Sequence, residues 1–240
     1  MTSAPQLCGP WLHIAAAPRE LFAHAVFRKG VDEDGYIVEQ MVLDVLWLGH
    51  GRIMIRSDNE PAIVKVVDRV LTALKAKGVD ATSEGSVPYD PQTNGAAESA
   101  VKMLKGTVRA HLLALERQIR ARVPMDHPIL TWLVRHAAMI RTLRIKGADG
   151  LTAQQRVWGS SAITRMLPFG EVCRYKARAH ESSIPGSSWK WSTGVWMGIE
   201  RRSGQYILYD KELGGVKMEV SATPGTSHEP SVPEVIHHKP

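Results

Sequence analysis

The chain has 240 residues, 44% of them hydrophobic, and its 30 Lys and Arg outweigh 24 Asp and Glu to give a formal net charge of +6. That length holds one well-filled core, or a core with a small second module, and the basic excess favours a polyanionic partner such as nucleic acid. Two distant cysteines, Cys8 and Cys173, argue against a disulfide framework or structural zinc site. The absence of an apolar run of roughly 18 residues argues against a bilayer span. The first 18 residues lack the layout of a signal peptide, so the expected setting is intracellular and reducing, nuclear or cytoplasmic, with no membrane.

Residues 1–10 have little pattern and 11–14 (WLHI) read as at best a short strand, so 1–18 are expected to form an irregular N-terminal segment. Residues 21–27 (LFAHAVF) read as a strand before a turn at Arg28-Lys29-Gly30. Ile37, Met41, Val45 and Leu48, spaced 4, 4 and 3, predict a helix over 36–48 with Gly49 as its stop. Residues 52–57 (RIMIRS) read as a second strand, and Pro61 opens a helix whose buried stripe is Ile63, Val67, Val70 and Leu74, ending at Gly78. A short strand is expected at 79–82. The Gly, Pro, Ser, Asp and Thr content of 83–94 predicts a mobile loop.

The clearest periodicity follows. Ala97, Val101, Leu104, Val108, Leu112, Leu115 and Ile119 mark one face of a long helix. Another helix over 129–144 carries Leu130, Leu133, Ala137 and Ile140, and Thr152-Ala153-Gln154-Gln155 has the capping-box pattern for a short helix ending near Gly159. Beyond Leu167 the texture changes to short strands at 171–178, 193–199, 205–209 and 216–220, with Trp189, Trp191 and Trp196 in one segment. The organisation predicted is an α/β core over 19–160, with helices packed on a mixed sheet, then a small β module over 168–221 and a disordered tail over 222–240.

Asp58 falls where a strand gives way to a loop, and Glu98 in the first turns of the long helix. Two such carboxylates suit a divalent ion, which takes one or two carboxylates together with water and phosphate oxygens. Lys102, Lys105 and Arg109 fall 4, 7 and 11 residues after Glu98, so all four share one stripe and the cations are placed to hold a phosphate backbone. Each piece has a plainer reading too. Asp58 suits a helix cap, Glu98 complements a helix dipole, Gln92 and Asn94 form turns, and basic residues form a solvated face.

Ser57-Asp58-Asn59, followed by a helix, a short strand and Pro91-Gln92-Thr93-Asn94-Gly95-Ala96-Ala97-Glu98, resembles the catalytic core of retroviral-type integrases encoded by retrotransposon polyproteins. The resemblance implies an RNase H-like fold, Mg²⁺ or Mn²⁺ chemistry, and joining of DNA ends to target DNA. Asp58 and Glu98 would be the second and third acids of the family triad and its metal ligands. Gln92, Asn94, Lys102, Lys105 and Arg109 would contact DNA. The C-terminal segment resembles the small SH3-like barrel that follows many such cores. It offers Lys176, Arg178, Lys190, Arg201 and Arg202 to DNA or chromatin, with Trp189 or Trp191 to stack and Trp196 in its core.

The family's first acid, an Asp on the opening strand, has no counterpart: no Asp precedes Asp32, and Glu20 is the one acid upstream. Asp32 and Asp34 fall in the turn after the 21–27 strand, and the upstream His/Cys zinc domain is missing. The expectation is an N-terminally truncated, integrase-like protein that binds DNA, with impaired strand transfer and a second copy as a possible partner. The alternative is a non-enzymatic DNA-binding or chromatin-interaction remnant.

Overall fold

The computed structural model describes residues 11–16, 20–26, 30–31, 34–85, 91–160, 166–176, 191–201, 203–210, 214–219 and 222–224. The chain forms two compact units, one from 1–106, 138–162 and 239–240, the other from 107–137 and 163–238.

In the first unit β1 (Trp11–Ala16) and β2 (Glu20–Ala25) pair antiparallel, in register from Ala16 opposite Glu20 to Trp11 opposite Ala25. Helix α1 (Tyr36–Leu48) starts and stops at Gly35 and Gly49, both left-handed, and the Gly49 N–H donates back to the Leu46 carbonyl. Its predicted face of Ile37, Met41, Val45 and Leu48 is buried. Strand β3 (Arg52–Ser57) pairs in parallel with β4 (Asp80–Gly85), from Arg52 opposite Asp80 to Ser57 opposite Gly85. Parallel pairing requires a crossover, and α2 (Pro61–Ala76) supplies it.

Ile55 and Ala81 turn inward from the two strands onto Val67, Val70 and Leu74 of α2 and Met41 and Val45 of α1. Burying a side chain of this size stabilises by roughly 1.5–3 kcal/mol, so this cluster fixes the plane from which the ends of β3 and β4 emerge. A second cluster joins Phe22, Trp47 and Leu48. Trp47 lies edge-on to both Phe22 and Trp158, at 5.6 Å in each case. Trp158 ends α5 (Ala153–Trp158), which opens with the predicted capping box between Thr152 and Gln155.

The second unit holds a five-stranded antiparallel sheet. Its strands are β5 (Val172–Lys176), β6 (Trp191–Ile199), β7 (Tyr206–Asp210), β8 (Gly215–Glu219) and β9 (Ala222–Pro224), in the order β8-β7-β6-β5-β9. Helices α3 (Pro91–Ile119) and α4 (Ile129–Arg144) each contribute residues to both units. Within the second unit, Leu115 of α3 lies so close to Gly170 that a Cβ there would overlap its Cδ1; Gly170 also holds φ +82°. The Gln118 side-chain amide donates to the Gly170 carbonyl. Trp196 is fully buried, as expected of it, and the Tyr175 hydroxyl bonds the buried Asp210 carboxylate.

Several boundaries differ from the sequence expectation. The strand expected at 21–27 spans Glu20–Ala25, and its partner is Trp11–Ala16, a strand longer than the short one read at 11–14. The strand expected at 79–82 runs on to Gly85 because β3 offers a partner for every residue to that point. Of the loop expected over 83–94, residues 83–85 belong to β4 and 91–94 to α3, while 86–90 lie outside the described residues; the fixed φ and missing N–H of Pro91 suit the first helical position. The strands of the first unit are hydrogen-bonded as two pairs, one antiparallel and one parallel. Ala222–Pro224, expected in a disordered tail, is a strand against β5. Its proline sits at the sheet edge, where a missing donor costs nothing.

Candidate nucleic-acid interface

Alternation along β3 buries Ile55 and leaves Met54 and Arg56 exposed, so the strand delivers Asp58 to its open end. The Asp58 carboxylate is exposed and accepts the N–H of Asn59 at 2.7 Å. It does not cap α2. The residue before that helix is Glu60, which uses no side-chain cap and accepts the N–H groups of Ile63 and Val64 on its carbonyl. Asn59 lies over Gly85, the residue opposite Ser57, and a Cβ on Gly85 would overlap the Asn59 Oδ1. The Asp58-Asn59 turn is thus seated on the paired ends of both parallel strands.

Glu98 is exposed about two turns into α3, not in its first turn. The dipole effect has faded at that depth, so complementing the helix terminus does not account for this acid. Gln92 and Asn94 fall within the first turn of α3 rather than in a loop, and their side chains lie outside the described set. Lys102, Lys105 and Arg109 are exposed, while Ala100, Leu104, Val108 and Leu115 are buried. By helical geometry the basic stripe lies roughly a third of the way round from the buried one. Asp58, Glu98, Lys102 and Lys105 belong to the first unit and Arg109 to the second.

Neighbouring cations are used differently. Arg52 pairs with Asp80 at 2.7 Å and Arg56 with Glu84 at 2.5 Å, across the exposed side of β3 and β4. Among the described residues no ion pair engages Lys102, Lys105 or Arg109, so their charge is available to a phosphate. Glu20 opens β2 with only 1% of its surface exposed, and its charge acts on Arg156. Arg156 holds Asp149, which bears the main part in keeping the Asp149 carboxyl down at about 2. Glu20 is thus a buried structural acid.

Among the described residues no three His, Cys, Asp or Glu side chains converge into a group that could hold a metal ion. Asp58 and Glu98 have the hard oxygen donors that Mg²⁺ or Mn²⁺ prefers, but the described residues do not build a protein cage for a two-ion site.

In the second unit Trp191 is 48% exposed and Arg174 is exposed, whereas Arg201 is half-buried. Lys176 sits opposite Trp191 in the ladder, its side chain outside the described set, and Arg178, Trp189, Lys190 and Arg202 lie outside the described residues. Sequence reading passed over His111 and His136, whose rings meet at 5.0 Å. The available signal was position, since His136 falls three residues after Leu133 on the buried stripe of α4. Among the described residues no helix is long and apolar enough to cross a membrane.

No family model matches the chain, and no curated protein matches it. Solved structures give distant likenesses. The catalytic core domain of BIV integrase is 20% identical with a TM-score of 0.37, over 58% of this chain and 78% of that one. A simian T-cell lymphotropic virus intasome in complex with PP2A regulatory subunit B56 gamma is 13% identical with a TM-score of 0.43, over 89% and 77%. At these scores the likeness adds no weight to any residue's role; the chain is a mixed α/β protein with an antiparallel sheet in its second unit.

Proposed function

We propose that this chain is a nucleic-acid-binding, integrase-like protein of retrotransposon origin. In this reading an RNase H-like core is followed by an SH3-like β module, and DNA lies along α3. The observation that carries it is the exposed stripe of Lys102, Lys105 and Arg109, without an ion pair among the described residues, following Glu98 on one helix face. The Asp58-Asn59 turn on the ends of β3 and β4 supplies the second acid of the motif. Mg²⁺ or Mn²⁺ would be held by Asp58 and Glu98 with phosphate and water, and strand transfer is impaired because the acid set is incomplete.

A second reading, a DNA-binding remnant without catalysis, rests on the same exposed cations, which can hold phosphate with or without an ion. Duplex DNA binding and end-joining, measured with Mg²⁺ and with chelator, separate the two. Joining that requires the ion and vanishes in Glu98→Gln supports the enzyme. Binding that falls steeply with salt and ignores the ion supports the remnant. No binding at low salt rejects both.

A further inference from the structure

The second unit contains a buried ring cluster with two unsatisfied nitrogens. His136, 2% exposed on α4, packs edge-on against His111 of α3 at 5.0 Å and against Trp196 of β6 at 5.2 Å, with Phe169 also at 5.2 Å. Its Nδ1 and the Trp196 Nε1 are buried with no hydrogen-bond partner among the described residues. A buried polar atom left unpaired marks a place where closure is held at a cost. Here the cost falls on the contact between the helical segments and the sheet of the same unit.

We propose that His111 and His136 form an acid-sensitive latch, which keeps the α3 and α4 segments of the second unit closed on the five-stranded sheet while both rings are neutral and releases them on protonation. A proton on either ring places an unsolvated charge among apolar rings, protonation of both adds their mutual repulsion, and the surrounding rings offer no carboxylate to receive the charge. From α3 the facing titratable group is His111 itself. On α4 the neighbouring Arg135 is committed to Glu200. The turn carrying Phe169 brings Glu171, whose charge acts on Cys173. That buried cysteine lies opposite Gly194 and, by register, on the same sheet face as Trp196. β6 contributes rings and aliphatic groups beside the imidazole.

The electrostatics have the matching sign. Burial, and secondarily the His111 charge, pushes His136 down to about 3, and burial lowers His111 as well. A base whose closed-state pKa is depressed contributes fully above its open-state value. That contribution drains away as pH falls from the ordinary histidine range toward the closed-state value. Neither His111 nor His136 is among the residues read as holding phosphate, so the latch does not rest on the DNA reading.

The test is amide hydrogen exchange on the full chain from about pH 7.5 to about pH 4.5, corrected for intrinsic rates, where each proton taken up raises the opening equilibrium about tenfold per pH unit below about 6.5. The rise is expected in 107–119, 129–137 and β6, with α1 and α2 holding their protection. His136→Phe should flatten the dependence while keeping a ring in place. A pH-independent wild-type opening, or an unchanged slope in His136→Phe, overturns the latch. A wild-type reading serves if that variant does not fold: a His136 ring signal titrating near 6.5 in the closed protein would equally overturn it.

Discussion

The Thr142 hydroxyl holds both backbone groups of Leu21, accepting its N–H at 3.3 Å and donating to its carbonyl at 3.1 Å. Thr142 and Leu21 are both buried. A side chain on α4 therefore adds to the hydrogen bonding of β2. Thr142→Val keeps the shape and removes the hydroxyl, and with it both of these buried hydrogen bonds. The expected loss is about 1–3 kcal/mol in urea unfolding, with Thr142→Ser retaining most of the stability. Equal stability of the Val and Thr proteins would show that Leu21 is satisfied by another route.

Gly85 is demanded by proximity rather than by its backbone conformation. A methyl group there would overlap the Asn59 Oδ1, the far end of an exposed side chain that can swing away. Gly85→Ala should thus leave stability within about 0.5 kcal/mol of wild type. It should still displace Asn59 and shift the Asp58 backbone amide signal. In an Asn59→Ala background the same substitution should have no further effect. A shift that persists there would mean that the strand end itself moves.

Local patterns with a single physical interpretation are readable from sequence. The α1 face and its Gly49 stop, the strand at 52–57 and the Thr152 capping box each express one short-range rule. Segments whose state depends on a distant partner are not. Ala222–Pro224 has no strand pattern and exists as one because β5 offers an edge. Pro91 to Gly95 has turn composition, yet its proline is equally a helix opener, and the helix prevails. At the site, the basic stripe of α3 follows from spacing alone. The seat of Asn59 over Gly85 and the meeting of His111 with His136 require tertiary structure, since no periodicity links residues so far apart.

Lys102 and Lys105 lie on the exposed stripe without an ion pair among the described residues. Replacing both by Glu reverses two charges without touching the buried Leu104 between them. If DNA lies along this face, affinity for duplex DNA should fall at least about tenfold. The log–log salt slope should shrink by about 0.9 for each phosphate that the protein no longer neutralises. Thermal stability should stay near wild type, since these side chains are solvated. An unchanged slope with unchanged affinity would move the DNA path elsewhere on the protein.

Cys173 is fully buried, and its thiol donates to the Gly194 carbonyl at 3.4 Å. Burial, with a smaller part from the Glu171 charge, pushes it up to about 12. Because the thiolate is the nucleophile, alkylation of Cys173 by iodoacetamide at about pH 8 should be slower by about a thousandfold in the native chain than in the denatured one. The rate should then climb about tenfold per pH unit as the thiolate fraction grows. The same asymmetry has a stability consequence of defined sign. The folded thiol keeps its proton above the range in which the unfolded thiol loses it, so this contribution is complete at neutral pH and drains away as pH rises past the unfolded value. Peptide mapping of the labelled protein distinguishes Cys173 from Cys8. Native labelling at Cys173 as fast as in denaturant would show that the strand pair around Gly194 opens readily, and the buried-thiol account would fail.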